Sequence, residues 1–204
     1  MSLTFHRIML NEKLKENIRL NEEIVLDLGA GTGSYKYILN IKNYLGFDVN
    51  PKPKQNIPFI KGDFHFLPFK DESFDCILMI ESLQYAKDPM KVVREIHRVL
   101  KKDGVLFISI PYIYPFDHGE LWRFSRRAIK HLFKDFEIEF IEAIGNRRLI
   151  ILMYGISIIP LPNVIRKFLI HFIKLNLGSK TEVATGYLIK ARKKCRCDDE
   201  RERG

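Results

Sequence analysis

The stretch that decides the fold is Ile24–Tyr35, which reads I-V-L-D-L-G-A-G-T-G-S-Y. A short run of Val and Leu that ends at glycine predicts a buried β-strand. Glycines then alternate at Gly29, Gly31 and Gly33, and the residues from Tyr37 onward predict the start of a helix. A strand, a glycine turn and a helix in this order form the opening of a nucleotide-binding α/β sheet.

The glycine spacing differs from the dinucleotide fingerprint G-x-G-x-x-G, because the third glycine comes one place early and Ser34 follows it. By itself the triplet is also compatible with a tight turn that binds nothing. Two acids further along favour a ligand site. Asp48 ends a second short apolar run about twenty residues after Gly29, the distance at which an acid reaches a ribose diol. Asp63 follows a third such run.

Four segments in order carry a family resemblance: D-L-G-A-G-T-G at 27–33, F-D-V-N-P at 47–51, G-D-x-x-x-L-P-F at 62–69 and S-F-D-C-I-L at 73–78. Together they resemble the class I S-adenosylmethionine-dependent methyltransferases, in the branch with the type 11 methyltransferase domain. The resemblance covers roughly residues 21–112. It implies an α/β fold: a doubly wound, mostly parallel, seven-stranded Rossmann-like sheet with an antiparallel last strand.

The resemblance also implies a site for the cofactor S-adenosylmethionine and no metal. Asp48 would accept both ribose hydroxyls, and Asp63 with the Phe64 backbone would face the adenine amine. Leu67 would pack near the ring. A structural alternative for Asp48 and Asp63 is the capping of strand ends. The methionine part would be held by the end of the first strand and its turn: Asp27, Gly29, Ala30, Gly31 and Gly33.

Acceptor contacts are expected beyond the fourth and fifth strands, because ligands in open α/β sheets bind at the carboxyl ends of strands. The candidates are Tyr85, Tyr112, Trp122 and Arg123. Arg123 suits an anionic group of the acceptor, or pairs with Glu120. His118 is the candidate general base, because an unperturbed imidazole titrates near neutrality; the alternative is a surface histidine. The stretch H-G-E-L-W-R-F-S at 118–125 resembles methyltransferases of cell-surface sugar or lipid-linked metabolism.

Composition allows one full-sized domain, since the chain has 204 residues, of which 46% are hydrophobic and 29% charged. The net charge of +9 permits an anionic partner such as nucleic acid or an acidic membrane face, but also an indifferent basic surface. Three cysteines suggest no disulfide framework, and the polar N-terminus lacks the apolar core of a signal peptide. We therefore expect a cytoplasmic protein, with peripheral contact at the inner membrane face as an option.

Boundary signals divide the chain into one domain, residues 1–192, and a charged, disordered tail, 193–204. A leading helix is expected within 1–21. Three prolines within 50–58 leave little room for the usual helix between the second and third strands. Asp88-Pro89 starts a helix that Asp103-Gly104 would close. The remaining predictions are a fifth strand at 105–111, a helix at 126–134 capped by Ser125, a sixth strand at 136–144 and a last strand at 181–192.

A helical apolar insert at about 146–178 departs from a compact version of this fold. Within its apolar part, 149–177, no charged residue occurs between Arg148 and Arg166, and this uncharged run is too short and too interrupted by Gly155, Pro160 and Pro162 to cross a membrane. Residues 166–175 are amphipathic, with a basic polar face. That pattern is typical of core packing, of a homodimer helix and of an interfacial membrane helix, and the sequence leaves all three open.

The function that these patterns favour is methyl transfer from S-adenosylmethionine to a small-molecule acceptor, lipid-linked or glycan-like. RNA methylation is an alternative supported by the charge, although Ile80-Glu81-Ser82 lacks the Asn/Asp-Pro-Pro-aromatic signature of enzymes that methylate exocyclic amines. A non-catalytic cofactor-binding module is a third option. A nicotinamide dehydrogenase is disfavoured by Ser34 in place of the required glycine.

Overall fold

The computed structural model describes residues 5–21, 23–54, 56–113, 118–145 and 184–194. The predicted insert at about 146–178 and the tail beyond Lys194 lie outside the described residues. A short 3-10 turn, Leu83–Tyr85, lies between the fourth strand and the third helix. In chain order the elements are α1 (Phe5–Asn17), β1 (Ile24–Leu28), α2 (Ser34–Ile38), β2 (Asn43–Asp48), β3 (Phe59–Lys61), β4 (Phe74–Ile80), α3 (Pro89–Val99), β5 (Leu100–Pro111), α4 (Arg126–Leu132), β6 (Phe136–Ile144) and β7 (Gly186–Lys193).

The strands form a seven-stranded sheet in the order β3-β2-β1-β4-β5-β7-β6. The β3-β2, β2-β1, β1-β4 and β4-β5 pairs are parallel, while β7 runs antiparallel to both β5 and β6. This arrangement confirms the predicted sheet and its antiparallel last strand. The chain winds outward from β1 through β2 and β3, then returns to β4, so the topological switch point lies between β1 and β4.

Two apolar layers cover the sheet, one on each face. Alternate residues of β1 supply them, because successive side chains of a strand point to opposite faces. Leu26 and Leu28 belong to the cluster that includes the buried residues of α3 and α4. Val25 belongs to the other cluster, which contains Leu10 and Leu14 of α1. Cover on both faces explains why β4 is almost continuously apolar.

The α3–β5 junction differs from the prediction that Asp103-Gly104 closes the helix. Helix α3 ends at Val99, and the chain enters β5 at Leu100, which is fully buried and pairs with Phe74 of β4. Asp103 and Gly104 therefore lie within β5, where the register with β4 shifts. Burial of Leu100 against the sheet outweighs the local helix-ending signal of an Asp-Gly pair.

Two helix starts follow the predicted capping. Asp88 accepts a hydrogen bond from the Lys91 N–H at 2.9 Å, and Pro89 occupies the first turn of α3. Ser125 accepts from the Ala128 N–H at 3.2 Å at the start of α4. Between β2 and β3 the described residues form no helix, as the prolines there predict. In the part of the chain that the structure describes, no helix is long and apolar enough to cross a membrane.

The Asp88 cap gives a direct test of the α3 boundary. Asp88→Ala removes the acceptor for the Lys91 N–H and should lower the free energy of unfolding by about 1 kcal/mol. Asp88→Asn retains a side-chain oxygen acceptor and should cost less. Urea unfolding of the three proteins measures both effects, and equal losses in the two variants would contradict the capping role.

Candidate functional site

The carboxyl edge of the parallel strands presents exposed apolar side chains. Val49 follows β2, Phe66 follows β3, Tyr85 follows β4, and Leu121 and Trp122 follow β5; each is markedly exposed. Large apolar side chains gathered at one edge mark an interaction site more often than a neutral surface. This edge also contains the switch point, so it is the expected ligand crevice of a doubly wound sheet.

The glycine turn after β1 combines close packing with open space. A Cβ atom on Gly29 would lie 2.3 Å from Ser82 Oγ, so only glycine lets the ends of β1 and β4 approach each other. A Cβ on Gly31, in contrast, would meet nothing within 4 Å, although its φ of +56° still favours glycine. The turn is therefore tight on the protein side and open at Gly31.

Asp48 is fixed against this turn. Its Oδ2 accepts a hydrogen bond from the Gly31 N–H at 2.8 Å, and its Oδ1 accepts from the Asn50 N–H at 2.8 Å. Each carboxylate oxygen retains a further lone pair for a ligand. The acid at the end of β2 is thus held rigidly over the open part of the glycine turn, so capping and ligand binding are compatible roles for the same side chain.

Asp63 is held by a residue that the sequence reading missed. Its Oδ1 accepts hydrogen bonds from the backbone N–H of His65 at 2.9 Å and from His65 Nδ1 at 2.5 Å. His65 Nε2 accepts from the Asp88 N–H, which leaves the ring proton on Nδ1. Burial raises the pKa of Asp63, but hydrogen bonds and charge from His65 and the charge of Lys87 lower it further, so the pKa lies below its usual value.

The loop after β3 buries one of its apolar side chains and exposes another. Leu67 is buried in the core, while Phe66 is 67% exposed with Lys91 Nζ at 3.2 Å from its ring centroid. Phe64 is partly buried and packs against the core and the ring of His65. Packing of Leu67 near the adenine ring stays a prediction.

Helix α3 anchors that loop. Glu95 Oε2 accepts from the Leu67 N–H at 2.8 Å, and the Arg98 guanidinium donates to the carbonyls of Leu67 at 2.9 Å and Phe69 at 2.7 Å. Arg98 also pairs with Glu95 at 2.8 Å. These bonds fix the segment that carries Asp63, and no local sequence pattern announces them.

Asp27 lies inside the sheet layer. It is 1% exposed, and its Oδ2 accepts a hydrogen bond from the Tyr44 hydroxyl at 2.5 Å. Burial raises the pKa of Asp27 to about 7; the Tyr44 hydrogen bond lowers it and the charge of Asp48 raises it further. Contact between Asp27 and a cofactor requires the Asp27–Tyr44 pair to open, so its predicted role in holding the methionine part stays a prediction.

The loops after β4 and β5 are tied together on the acceptor side. The N–H groups of Leu121 and Trp122 donate to the Gln84 carbonyl at 2.9 and 3.2 Å, and the Trp122 indole N–H donates to the Ala86 carbonyl at 2.7 Å. This brings two predicted contacts, Tyr85 and Trp122, into one region with both rings part-exposed. Burial, followed by the charge of Glu120, raises the pKa of Tyr85.

Three further residues predicted to contact the acceptor lie in the loop after β5: Arg123, His118 and Tyr112. Arg123 forms an ion pair with Glu120 at 3.2 Å, which is the second of its two predicted roles. His118 is exposed, and its backbone N–H donates to Glu120 at 2.8 Å. Tyr112 is half-buried and its ring lies 5.5 Å from that of Tyr187. Its backbone N–H bonds to the Thr185 carbonyl. The general-base role of His118 stays a prediction.

A second polar group lies at this edge, in the segment that directly follows β4. Glu81, the first residue after β4, contacts Ser109 of β5 and His6 of α1. Arg7 of α1 donates to the Tyr35 hydroxyl at 2.6 Å. The leading helix therefore packs its apolar side against the sheet and extends its first turn toward the carboxyl edge. Only the tertiary structure brings these residues together.

Comparison with known proteins supports the family. The sequence model described as a methyltransferase domain matches residues 26–108. The resemblance to class I S-adenosylmethionine-dependent methyltransferases is confirmed. The matched residues extend from β1 through most of β5, the part of the sheet whose carboxyl edge forms the crevice.

Individual proteins with similar sequences or folds include further methyltransferases. The chain is 34% identical over 116 residues to an uncharacterized protein of Methanocaldococcus jannaschii, covering 54% of this chain and 45% of that protein. It is 37% identical over 102 residues to the demethylmenaquinone methyltransferase of Thermotoga maritima, covering 45% and 44%. The match thus spans less than half the length of these curated relatives. The fold is similar to that of the YcgJ protein from Bacillus subtilis, with a TM-score of 0.61, 21% identity, and coverage of 93% of this chain and all of that one (100%).

The family and the fold imply S-adenosylmethionine as the cofactor, and the residues present fit it. The space over Gly31 is open, since a Cβ there would meet no atom within 4 Å, and it leaves the backbone of the turn accessible to a ligand. Asp48 holds two acceptor oxygens beside it, which suits a vicinal diol, and Asp63 offers an exposed carboxylate at the next strand end. The exposed ring of Phe66 adds an apolar surface for a planar base.

The buried carboxyl of Asp27 predicts a pH dependence of stability. Because its pKa is higher folded than unfolded, the folded state binds more protons between about pH 4 and pH 7 and stability falls as pH rises through that window. A shift of this size corresponds to about 4 kcal/mol. Asp27→Asn should therefore flatten this part of the curve relative to the wild type.

Urea unfolding at a series of pH values from 4.5 to 7.5 measures the difference between the two proteins. Comparing the variant with the wild type cancels the carboxyls with depressed pKa, such as Asp63, whose effect on stability has the opposite sign. A constant offset between the two curves across this range would contradict the buried, protonated state of Asp27.

Proposed function

We propose that this chain transfers the methyl group of S-adenosylmethionine to a small-molecule acceptor, lipid-linked or glycan-like in class. The observation that carries the proposal is the Asp48 carboxylate, fixed by the Gly31 and Asn50 N–H groups beside the open space over Gly31. A diol-binding acid and a glycine cradle in register, at the switch point of a methyltransferase sheet, suit this cofactor.

Each residue of the cofactor side has an assigned role in this proposal. Asp48 accepts the ribose hydroxyls, Asp63 with the Phe64 backbone receives the adenine amine, and Phe66 covers the base. Gly31 and Ala30 line the methionine part of the cradle, while Gly29 and Gly33 keep the turn compact. Leu67 supports this loop from the core.

The cofactor supplies an already activated methyl group, so the protein mainly positions the acceptor and excludes water. Tyr85 and Trp122 provide an apolar aromatic wall that suits a hydrophobic acceptor, and Tyr112 lies deeper in the loop after β5. Arg123 reaches an anionic group of the acceptor only in competition with Glu120. We place this reaction in the cytoplasm, with residues 149–177 as the segment for contact with a membrane or a second copy.

The first experiment is calorimetric titration with S-adenosylmethionine and S-adenosylhomocysteine. Asp48→Ala should weaken binding of both ligands at least tenfold, because it removes two charge-assisted hydrogen bonds to the ribose. Asp135→Ala is the matched control, since Asp135 is exposed at the opposite edge of the sheet and should leave binding unchanged.

A folded wild type that binds neither ligand would overturn the proposal. Because Asp48 also fixes Gly31, the Asp48→Ala variant is checked by its thermal unfolding and by Asp48→Asn, which keeps one carbonyl acceptor and should bind with intermediate affinity. Equal binding by wild type and Asp48→Ala would remove Asp48 from the ribose site.

RNA is a second candidate acceptor, favoured by one feature of the surface. A cleft of about 650 Å³ beside the edge strand β6 is bordered by four basic side chains and only one acid, Glu137; the basic residues are Arg126, Lys130, Lys134 and Lys194. The positive charge of this surface suits the negative phosphate backbone of RNA. Its side chains offer no recognition of the bases.

Salt dependence separates the two acceptor classes. If RNA binds in this cleft, its affinity should fall steeply and linearly on a log–log plot with salt, and Lys130→Glu with Lys134→Glu should weaken it further. Binding of a mixed-sequence RNA hairpin is measured by fluorescence anisotropy, with Lys102→Glu as the control for net charge. If binding is weak and depends neither on the salt concentration nor on the Lys130 and Lys134 substitutions, RNA is excluded as the acceptor and the small-molecule acceptor remains.

A further inference from the structure

A buried polar network links the first turn of α1 to the carboxyl ends of β4 and β5. Its centre is Glu81, which takes the left-handed φ of +54° directly after β4. Its Oε1 accepts from the Ser109 hydroxyl at 3.0 Å, and its Oε2 lies 3.3 Å from His6 Nε2. The His6 side chain is 4% exposed and that of Glu81 14%, so this pair is largely shielded from water but has one accessible side.

The hydrogen bonds around His6 fix the position of its protons. The Thr185 hydroxyl donates its only proton to the Ile144 carbonyl at 2.7 Å. Its oxygen must therefore accept from His6 Nδ1, 2.8 Å away, and Nδ1 carries a hydrogen. In the neutral ring Nε2 would then present a lone pair to Glu81, which is repulsive. A single proton on either His6 Nε2 or Glu81 Oε2, which lie 3.3 Å apart, would remove this repulsion.

The charges that face this pair come from several elements. Arg7 of α1 is bonded to Tyr35 of α2, and the Tyr85 hydroxyl lies on the accessible side after β4. Burial raises the pKa of Glu81, but the charge and hydrogen bond of His6, the charge of Arg7 and the Ser109 hydroxyl lower it more, so its pKa is below normal. With one proton on the two side chains, the net charge of the pair is zero.

The pair is located where methyl transfer would take place. Glu81 lies at the switch point between β1 and β4, and the neighbouring Ser82 hydroxyl donates to the Gly29 carbonyl at 3.4 Å. Glu81 is thus the chain neighbour of a residue that contacts the glycine turn directly. His118, in contrast, is an exposed loop residue.

We propose that Glu81 is the catalytic base of this site, with His6 as the positioning residue that shares its proton, and that the charge of the bound cofactor controls the protonation of the pair. The proposal rests on the proposed function, since it needs S-adenosylmethionine in the crevice. It names the acceptor class more closely: an acceptor that loses a proton on methylation, such as a hydroxyl or an amine.

The charges balance through the step. The pair would release its proton to solvent beside a bound sulfonium and would then carry one net negative charge. Glu81 would accept the acceptor's proton while the acceptor heteroatom bonded to the methyl carbon and the carbon–sulfur bond broke, and His6 would again share that proton. The positive charge at sulfur and the negative charge of the pair would be lost together, so no net charge would remain buried.

Proton counting during cofactor binding tests this without knowledge of the acceptor. Calorimetry at pH 7 in phosphate and in Tris, whose ionisation enthalpies differ, gives the number of protons released on binding. S-adenosylmethionine and S-adenosylhomocysteine differ in the charge at sulfur, which also shifts the pKa of the ligand's own α-amino group; that contribution is the same for every protein variant and cancels when the wild type is compared with a variant. The wild type should release more protons with the sulfonium ligand than with the thioether, because only the former carries the positive charge.

Three variants test which residues cause the difference in proton release between the two ligands. Glu81→Gln keeps the shape and a bond with Ser109 but cannot hold the charge, and it should abolish the difference between the two ligands. His6→Asn keeps a donor toward Thr185 but cannot share a proton, and it should do the same. Glu142→Gln is the matched control: it breaks the other ion pair between α1 and the sheet, Lys13–Glu142 at 2.8 Å, and should leave the difference unchanged.

The outcomes are distinct. An excess of protons released in the wild type and Glu142→Gln, and its loss in Glu81→Gln or His6→Asn, supports the proposal. Binding of both ligands with no excess in the wild type, or an undiminished excess in Glu81→Gln, overturns it while the proposed function stands. Failure of the wild type to bind either ligand removes the proposed function itself.

Discussion

The close approach of Gly29 to Ser82 is the constraint on which the rest of the site depends. A side chain at Gly29 would meet Ser82 within 2.3 Å and push the ends of the two central strands apart. Because nothing intervenes, β1 and β4 stay paired up to the turn, and the backbone N–H of Gly29 also bonds to the Phe47 carbonyl of β2 at 2.8 Å. Three strand ends thus converge on one point, and their terminal acids converge with them.

The acids at these strand ends have different environments, and the environments separate their roles. Asp27 is enclosed by the sheet layer, and burial raises its pKa to about 7 despite the hydrogen bond from Tyr44. Asp48 and Asp63 are held by N–H donors and remain open to the crevice. Glu81 is enclosed too, yet its contacts with His6, Arg7 and Ser109 lower its pKa. Desolvation and local hydrogen bonds, more than residue type, decide what each carboxyl can do.

The carboxyl edge of the sheet also contains a residue with a strained backbone. Glu81 adopts a positive φ, a conformation that costs a non-glycine residue roughly 1 kcal/mol or more and persists only when its surroundings fix it. Here Ser109 accepts and donates around the Glu81 backbone and side chain, and His6 contacts the carboxylate. The opposite, amino edge of the sheet has no comparable set of buried, charged contacts among the residues described, which agrees with ligand binding at the carboxyl edge.

The sequence by itself determined the strand–turn–helix opening, the helix caps at Asp88 and Ser125, and the acid at Asp48 about twenty residues after the glycine turn. These features depend on local periodicity and on short spacings along the chain. The tertiary structure decided the order of the strands, where α3 ends, that Leu67 is buried while Phe66 is exposed, and that Asp27 is buried. It alone joined His6 to Glu81 and Thr185, residues up to 179 positions apart. Such contacts arise from the packing of whole elements, and no local pattern of residues encodes them.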